Sequence, residues 1–456
     1  SRLNQEQMRT GELVALQSHL HHGKKYFQRV EQKGDSYYYY YLYGPVHGLS
    51  APLPVPVARQ QFYYLDGSLL AFSTRKDMLL RVMDAHAARE DKGRPSPVAA
   101  QVARAGAARA LAALWMNPRA LDAEIQQQAA RGLPAEAQGL RSFFRYWQAL
   151  EAVVLSVNLD RDFTLNLSVQ TRPEALPAAA RRLLAEAPRP SELWGRFPAQ
   201  SLLTVAGRID ASALNEFLAE FLTAEARELI GNGLQRSLGA AVGMNLVEEV
   251  LPQLGPDWGW CVAAAPDPAG FPHVLAALRV QAGNKDAAVD QALLKAVQFL
   301  GNLAVFDYNR KHADQVRVKT AMQGAVEVKY LANDKGFPSG LQPAVALKEG
   351  YLVLASSPDA MRRFGAAAVT AVAGPEVPLL RLSLSELASF LKHRREAIIG
   401  FVAAKNQVSR EAAGKGLESV LRSLELFEHL EVSHRTDAGQ LILTVRLRTK
   451  PTARNR

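Results

Sequence analysis

The sequence predicts an α+β protein in two tandem halves, each made of antiparallel β-hairpins with amphipathic helices packed on one face. Three observations carry this expectation. Short runs alternate apolar and polar residues and are closed by Asp-Gly or Glu-Gly, as tight hairpins are. Such hairpins lead into a Ser, Thr or Asn followed by a segment of helical period. Three blocks of the first half then recur in the second half in the same order.

In the first half, "QMRTGELVALQSHLHHG" (7–23) reads as a helix ending in His19, His21 and His22, cations suited to the negative pole of a helix dipole. No carboxylate or cysteine stands at useful local spacing, so these histidines predict no metal site. Five tyrosines follow at 37–41 inside "SYYYYYL", which aligns with "AVEVKYL" at 325–331. Strand side chains alternate faces, so Tyr37, Tyr39 and Tyr41 match the core positions Val326, Val328 and Tyr330. Tyr38 and Tyr40 match Glu327 and Lys329 and are expected on an outer face, as a stacking platform for a sugar, base or partner. Next comes "FYYLDGSLLAFSTRKDMLLRV" (62–82): strand, turn at Asp66-Gly67, strand, then a helix capped by Ser73 or Thr74. An exposed insertion is expected at 89–98, "REDKGRPSPV". The half closes with "LWMNPRALDAEI" (114–125), a strand end and capped helix, and with 143–172, a helix leading into a hairpin.

Pro188, Pro190 and Pro198 interrupt a helix and set the expected boundaries: a first copy at 1–187, a linker at 188–197, a second copy at 198–449 and a basic tail at 450–456. The second copy opens with a strand and helix (197–222), a hairpin (257–280) turning near Pro266, and a helix from 286. "VALKEGYLVLASSPDAMRRFG" (345–365) then matches 62–82, with the interval from Gly350 to Met361 equal to that from Gly67 to Met78. Residues 380–391 match 114–125, and 421–449 match 143–172. Strands at the head of the second copy have no partner in the first, which is therefore expected to begin in mid-unit at Ser1. An N-terminal portion missing before Ser1, or strands supplied by another segment, would account for it.

Trp258 and Trp260 share one strand face by period two, either in the core or lining a cleft with Trp194. His429 and His434, five apart on a strand, project to opposite faces and should not share a metal. Cys261 is the only cysteine, which excludes an internal disulfide; its setting, "WGWCVAAA", is that of an inert buried thiol. No run of apolar residues is long enough for a spanning helix, and the first residues carry no apolar signal core. A net charge of +10 permits anionic partners, but the basic residues form no stripe, which disfavours nucleic acid. No Gly-x-Ser-x-Gly elbow, phosphate-binding Gly-rich loop, dinucleotide fingerprint or His-Glu-x-x-His is present, and no cofactor is expected.

The pattern "V-x-L-x-x-G-Y-L-V-L-A-S-S-P-x-A-M-R-R" at 345–363, with "GFPSGLQPAVAL" before it and "FPAQSLLTVAGRIDASAL" at 197–214, resembles a family of uncharacterised bacterial proteins carrying a domain of unknown function. The resemblance covers most of the second copy and, more weakly, the first. It implies an exported, periplasmic or envelope-associated protein and supplies no catalytic residues. Three functions follow as expectations. The first is a non-catalytic binding or scaffold protein contacting a protein, lipid or glycan of the envelope through Tyr38, Tyr40, Trp258 and Trp260. The second is a carrier of an apolar ligand between sheet and helices, and the third a hydrolase with a dispersed site.

Overall fold

The computed structural model describes residues 13–32, 58–67, 69–90, 97–131, 134–186, 188–267, 270–280, 288–333, 335–366, 375–437 and 439–450, with Gln5, Met8 and Arg9. Antiparallel sheets and helices together give the α+β architecture expected. The chain divides into two compact units, 1–97 and 98–456.

The first unit is a four-stranded antiparallel sheet in the order β1 (Leu13–His21), β2 (Lys24–Gln32), β3 (Ala58–Asp66), β4 (Leu69–Ser73), followed by helix α1 (Lys76–Glu90). Tyr26, Phe62 and Tyr64 of the sheet pack against Leu79 and Met83 of α1. The helix expected at 7–23 is corrected: Leu13–His21 is a strand. His22 and Gly23 both take positive φ, 49° and 76°, which makes the two-residue turn that matches strand twist and returns the chain as β2. The neighbours of β3 are β2 and β4, so Lys24–Gln32 holds beside β3 the position that Val326–Ala332, aligned in the sequence with the tyrosine run, holds beside Ala344–Lys348. Tyr38 and Tyr40 themselves lie outside the described residues, as do 91–96 of the expected insertion.

The second unit contains one thirteen-stranded antiparallel sheet. Its strands are β5 (Ala112–Met116), β6 (Leu150–Leu159), β7 (Phe163–Thr171), β8 (Ser201–Arg208), β9 (Leu254–Ala263), β10 (His273–Val280) and β11 (Arg317–Gln323). They continue with β12 (Val326–Ala332), β13 (Ala344–Lys348), β14 (Tyr351–Ala355), β15 (Val377–Ser383), β16 (Phe427–Asp437) and β17 (Gln440–Thr449). Their spatial order is β11-β12-β13-β14-β10-β9-β8-β15-β16-β17-β7-β6-β5. The longer helices are α2 (Pro97–Arg104), α3 (Asp122–Arg131), α4 (Pro134–Ala149), α5 (Ala178–Glu186), α6 (Ala211–Ala219), α7 (Ala224–Leu234), α8 (Ala288–Lys311), α9 (Pro358–Arg362), α10 (Leu384–His393), α11 (Arg395–Asn406) and α12 (Arg410–Glu425). Side-chain caps start several of them: Asp210 accepts from Ala213 N at 2.9 Å, Ser357 from Ala360 N at 3.1 Å and Ser409 from Ala412 N at 3.1 Å.

Among the described residues a similar order of elements occurs twice: four strands, two helices in the first case and one in the second, then a strand, helices and two strands. The two hairpin turns nonetheless differ by one residue. Lys348 pairs with Tyr351 around Glu349-Gly350, both at positive φ, whereas Asp66 pairs with Leu69 around positions 67 and 68. The even spacing read in the sequence therefore does not carry through to equal strand registers.

Residues 188–197, expected as a linker, enter the largest core. Ser191 caps a 3-10 turn at Glu192–Gly195, and Leu193, Trp194 and Phe197 are buried with Cys261, Leu275, Tyr351, Met361 and Phe364. The prolines do break the helix, but three large apolar side chains between them gain more from burial than a solvated linker would. Arg196 and Arg279 flank the Tyr351 ring, each with its guanidinium carbon 5.1 Å from the centroid, and Trp194 Nε1 donates to Pro378 O at 3.1 Å. On the opposite face of the same strands, Leu293, Leu294 and Val297 of α8 pack on Val280, Val345 and Leu352.

Candidate functional site

Strand register assigns every residue of the large sheet to one of two faces. Asp257, Gly259, Cys261 and Ala263 of β9 are buried and face the core around Trp194, while Trp258, Trp260 and Val262 between them face the other way and are half-buried or exposed. Trp258 and Trp260 thus share a face, as their spacing requires, and it is the face opposite Trp194. The Trp258 ring lies over Gly207, where an added Cβ would stand 3.4 Å from it. The indole Nε1 of Trp258 is buried and finds no acceptor among the described residues.

Following cross-strand partners outward from Trp260 gives an unbroken apolar row. Towards one edge the row is Ala276, Leu354 and Val345. Towards the other it is Val205, Leu380, Val432, Val445, Leu165 and Val157. A parallel row joins Leu382, Leu430, Leu447, Phe163 and Leu159. Behind the first row, on the other face, the partners are Thr204, Arg381, Glu431, Arg446, Thr164 and Asn158.

Burial runs against that pattern in β6, β7, β16 and β17. Ser156, Ser168, Gln170, Ser433 and Thr444 are buried, with Ala152, Val154 and Ile442 on the same side. Their polar atoms meet across the strands: Gln440 Nε2 donates to Ser168 Oγ at 2.6 Å, and Thr444 Oγ1 to Asn166 Oδ1 at 2.9 Å. Meanwhile the apolar side is open, with Leu155 36%, Phe163 38%, Leu159 64% and Leu114 66% exposed. An antiparallel sheet with one packed face ordinarily turns its apolar side inward. Here the apolar side is the one left to meet something else.

At the β11–β14 end this face runs beneath α8 and forms a cleft of about 480 Å³ walled by Val297, Gly301, Val318, Leu331, Val345 and Leu354. That volume is within the roughly 300–1,000 Å³ of small-molecule sites. Gly301 leaves the wall open, since a Cβ there would meet nothing within 4 Å. Lys329 supplies a cation at the wall; its Nζ donates to Gln298 Oε1 at 3.1 Å and lies 3.6 Å from Glu327 Oε1. Leu354 and Trp260 sit two strands apart in one row, so the cleft opens along the row towards the tryptophan.

No family model, curated protein or solved structure matches the chain. Geometry alone therefore weighs the site. Burial pushes the Cys261 thiol up to about 12, which leaves it protonated and without nucleophilic character. His429 and His273 are both pushed down by burial; for His429 this outweighs the Glu431 carboxylate 3.2 Å away. The cleft residues Val297, Gly301 and Leu354 were not singled out by sequence reasoning. A usable signal was the helix 288–311, which is apolar on nearly all sides and leaves Phe299, Leu303 and Phe306 exposed.

Proposed function

We propose that the protein is a non-catalytic binding protein of the bacterial periplasm or envelope whose ligand is a long-chain amphiphile. Its chain lies in the cleft beneath α8 and along the apolar row to Trp260, with an anionic head near Lys329. The single observation behind the proposal is the inverted burial of the large sheet: small polar residues are shut in, and a continuous apolar face is left half-open. Apolar patches of this extent mark contact surfaces. An extended hydrocarbon fits a row of side chains better than a compact solute does. The cellular location rests on the resemblance carried by residues 197–214 and 336–363. No helix among the described residues is long and apolar enough to cross a membrane.

The test is tryptophan fluorescence with a fatty acid brominated along its chain. Bound bromine should quench Trp260 saturably, a Trp260→Phe variant should lose most of the quenching, and Lys329→Ala should weaken the apparent affinity. Absence of saturable quenching in the unaltered protein, together with no lipid retained in native mass spectrometry, would sink the proposal.

We also infer that the repeated element order stems from tandem duplication. A sequence profile built on relatives of residues 345–449 should score residues 62–171 above shuffled sequences of equal composition; a score no better than the shuffled set counts against common origin.

A further inference from the structure

The first unit brings together three side chains that local spacing keeps apart. His21 ends β1, His22 opens the turn at φ 49°, and Asp84 stands on α1, more than sixty positions along the chain. Asp84 Oδ1 lies 2.6 Å from His21 Nε2 and 3.6 Å from His22 Nε2, and the two imidazole centroids are 4.2 Å apart. All three donor atoms fall within 4.8 Å of one another. The carboxylate judged missing from the sequence around "HLHHG" is supplied by the helix.

We propose that His21, His22 and Asp84 bind a divalent first-row transition ion of the zinc class. Two imidazole nitrogens and a carboxylate oxygen are the donors such ions take, at bond lengths of about 2.0–2.2 Å. Around one ion those lengths place donor atoms roughly 3 to 3.5 Å apart. Asp84 would draw back slightly from His21 and His22 would close in. The side chains that move are free to do so, since His22 is 75% and Asp84 52% exposed. A hydrogen bond alone accounts for His21 and Asp84. It does not account for the second imidazole, turned to the same oxygen at 3.6 Å, beyond hydrogen-bond reach.

Two neighbouring groups have partners at Asp66: Lys24 Nζ donates to Asp66 Oδ2 at 2.7 Å, and His86 Nδ1 lies 3.2 Å from Tyr64 OH and 3.9 Å from Asp66 Oδ2. The framework is firm, because the strand after the turn and the helix bearing Asp84 share the core of Tyr26, Leu79 and Met83. Three protein donors leave the remaining positions to water, an open site rather than a closed structural one. The ion would tie the β1–β2 turn to α1.

Calorimetric titration of Zn²⁺ into the chelator-stripped full chain at neutral pH tests this, with the Co²⁺ visible spectrum as a second readout. One ion per chain should bind with micromolar affinity and raise the melting temperature. Asp84→Asn and His22→Ala should each weaken binding by at least about ten-fold while circular dichroism stays unchanged. Acidification should weaken it too, because the ligands must be deprotonated. No saturable binding up to about 100 μM, a level at which affinity is only some 5 kcal/mol, would overturn the site. So would unchanged affinity in both variants.

Discussion

Gly301 and His429 show how single positions separate stability from function. Gly301 is inside α8, and its Cβ space opens into the cleft. Gly301→Leu removes the backbone penalty of an interior glycine, about 0.5–1 kcal/mol, and fills part of the ligand's room. The expected outcome is an equal or higher melting temperature with weaker quenching by the brominated chain; undiminished quenching would place the chain elsewhere. His429 is 3% exposed and held neutral by burial. Its folded value lies below the unfolded one, so the unfolded chain takes up the proton first. Stability is complete above the ordinary histidine value of about 6.5 and falls as pH drops through it. Urea midpoints between pH 7 and 5 should fall less steeply in His429→Gln; an identical slope would mean that His429 titrates normally. His273, lowered for the same reason, would keep part of the slope.

At the level of elements, much was legible because it is local. Glu349-Gly350 closes its hairpin, Ser357 and Pro358 open α9, and the strand-helix pair at 201–219 lies inside the residues that predicted it. Nonlocal facts were not legible. The alternation of 13–21 is weak, so histidines that read as a helix end became a strand end once a two-residue turn paired them with β2. Period two put Trp258 and Trp260 on one face, but only the ladders to β8 and β10 reveal which face it is. The 3-10 turn at Glu192–Gly195 is the sharpest case, since proline spacing announced a linker while Leu193 and Phe197 entered the core fully. Phe197→Ala should therefore cost about 3–5 kcal/mol in equilibrium unfolding. A loss under 1 kcal/mol would return the segment to linker status.

On the scale of the whole molecule, the two compact units assign the two proposed sites to different parts of the chain: the metal triad to residues 1–97 and the amphiphile face to 98–456. A fragment comprising 98–456 should unfold cooperatively and keep saturable quenching of Trp260 without taking up zinc at the triad. A fragment that is unfolded by circular dichroism would show that the second unit needs the first. Near the β5 edge of the large sheet, β7 joins β17 in a ladder where Ser168 and Gln440 meet across 272 residues of chain. Contacts so distant in sequence carry a large loop-closure cost and form slowly. As the polypeptide leaves the ribosome at about 5–20 residues per second, β5–β7 must wait until Gln440–Thr449 has been made before their partner exists. During that interval the β7 edge is an unpaired strand beside an apolar surface, the kind of nascent segment that chaperones shield.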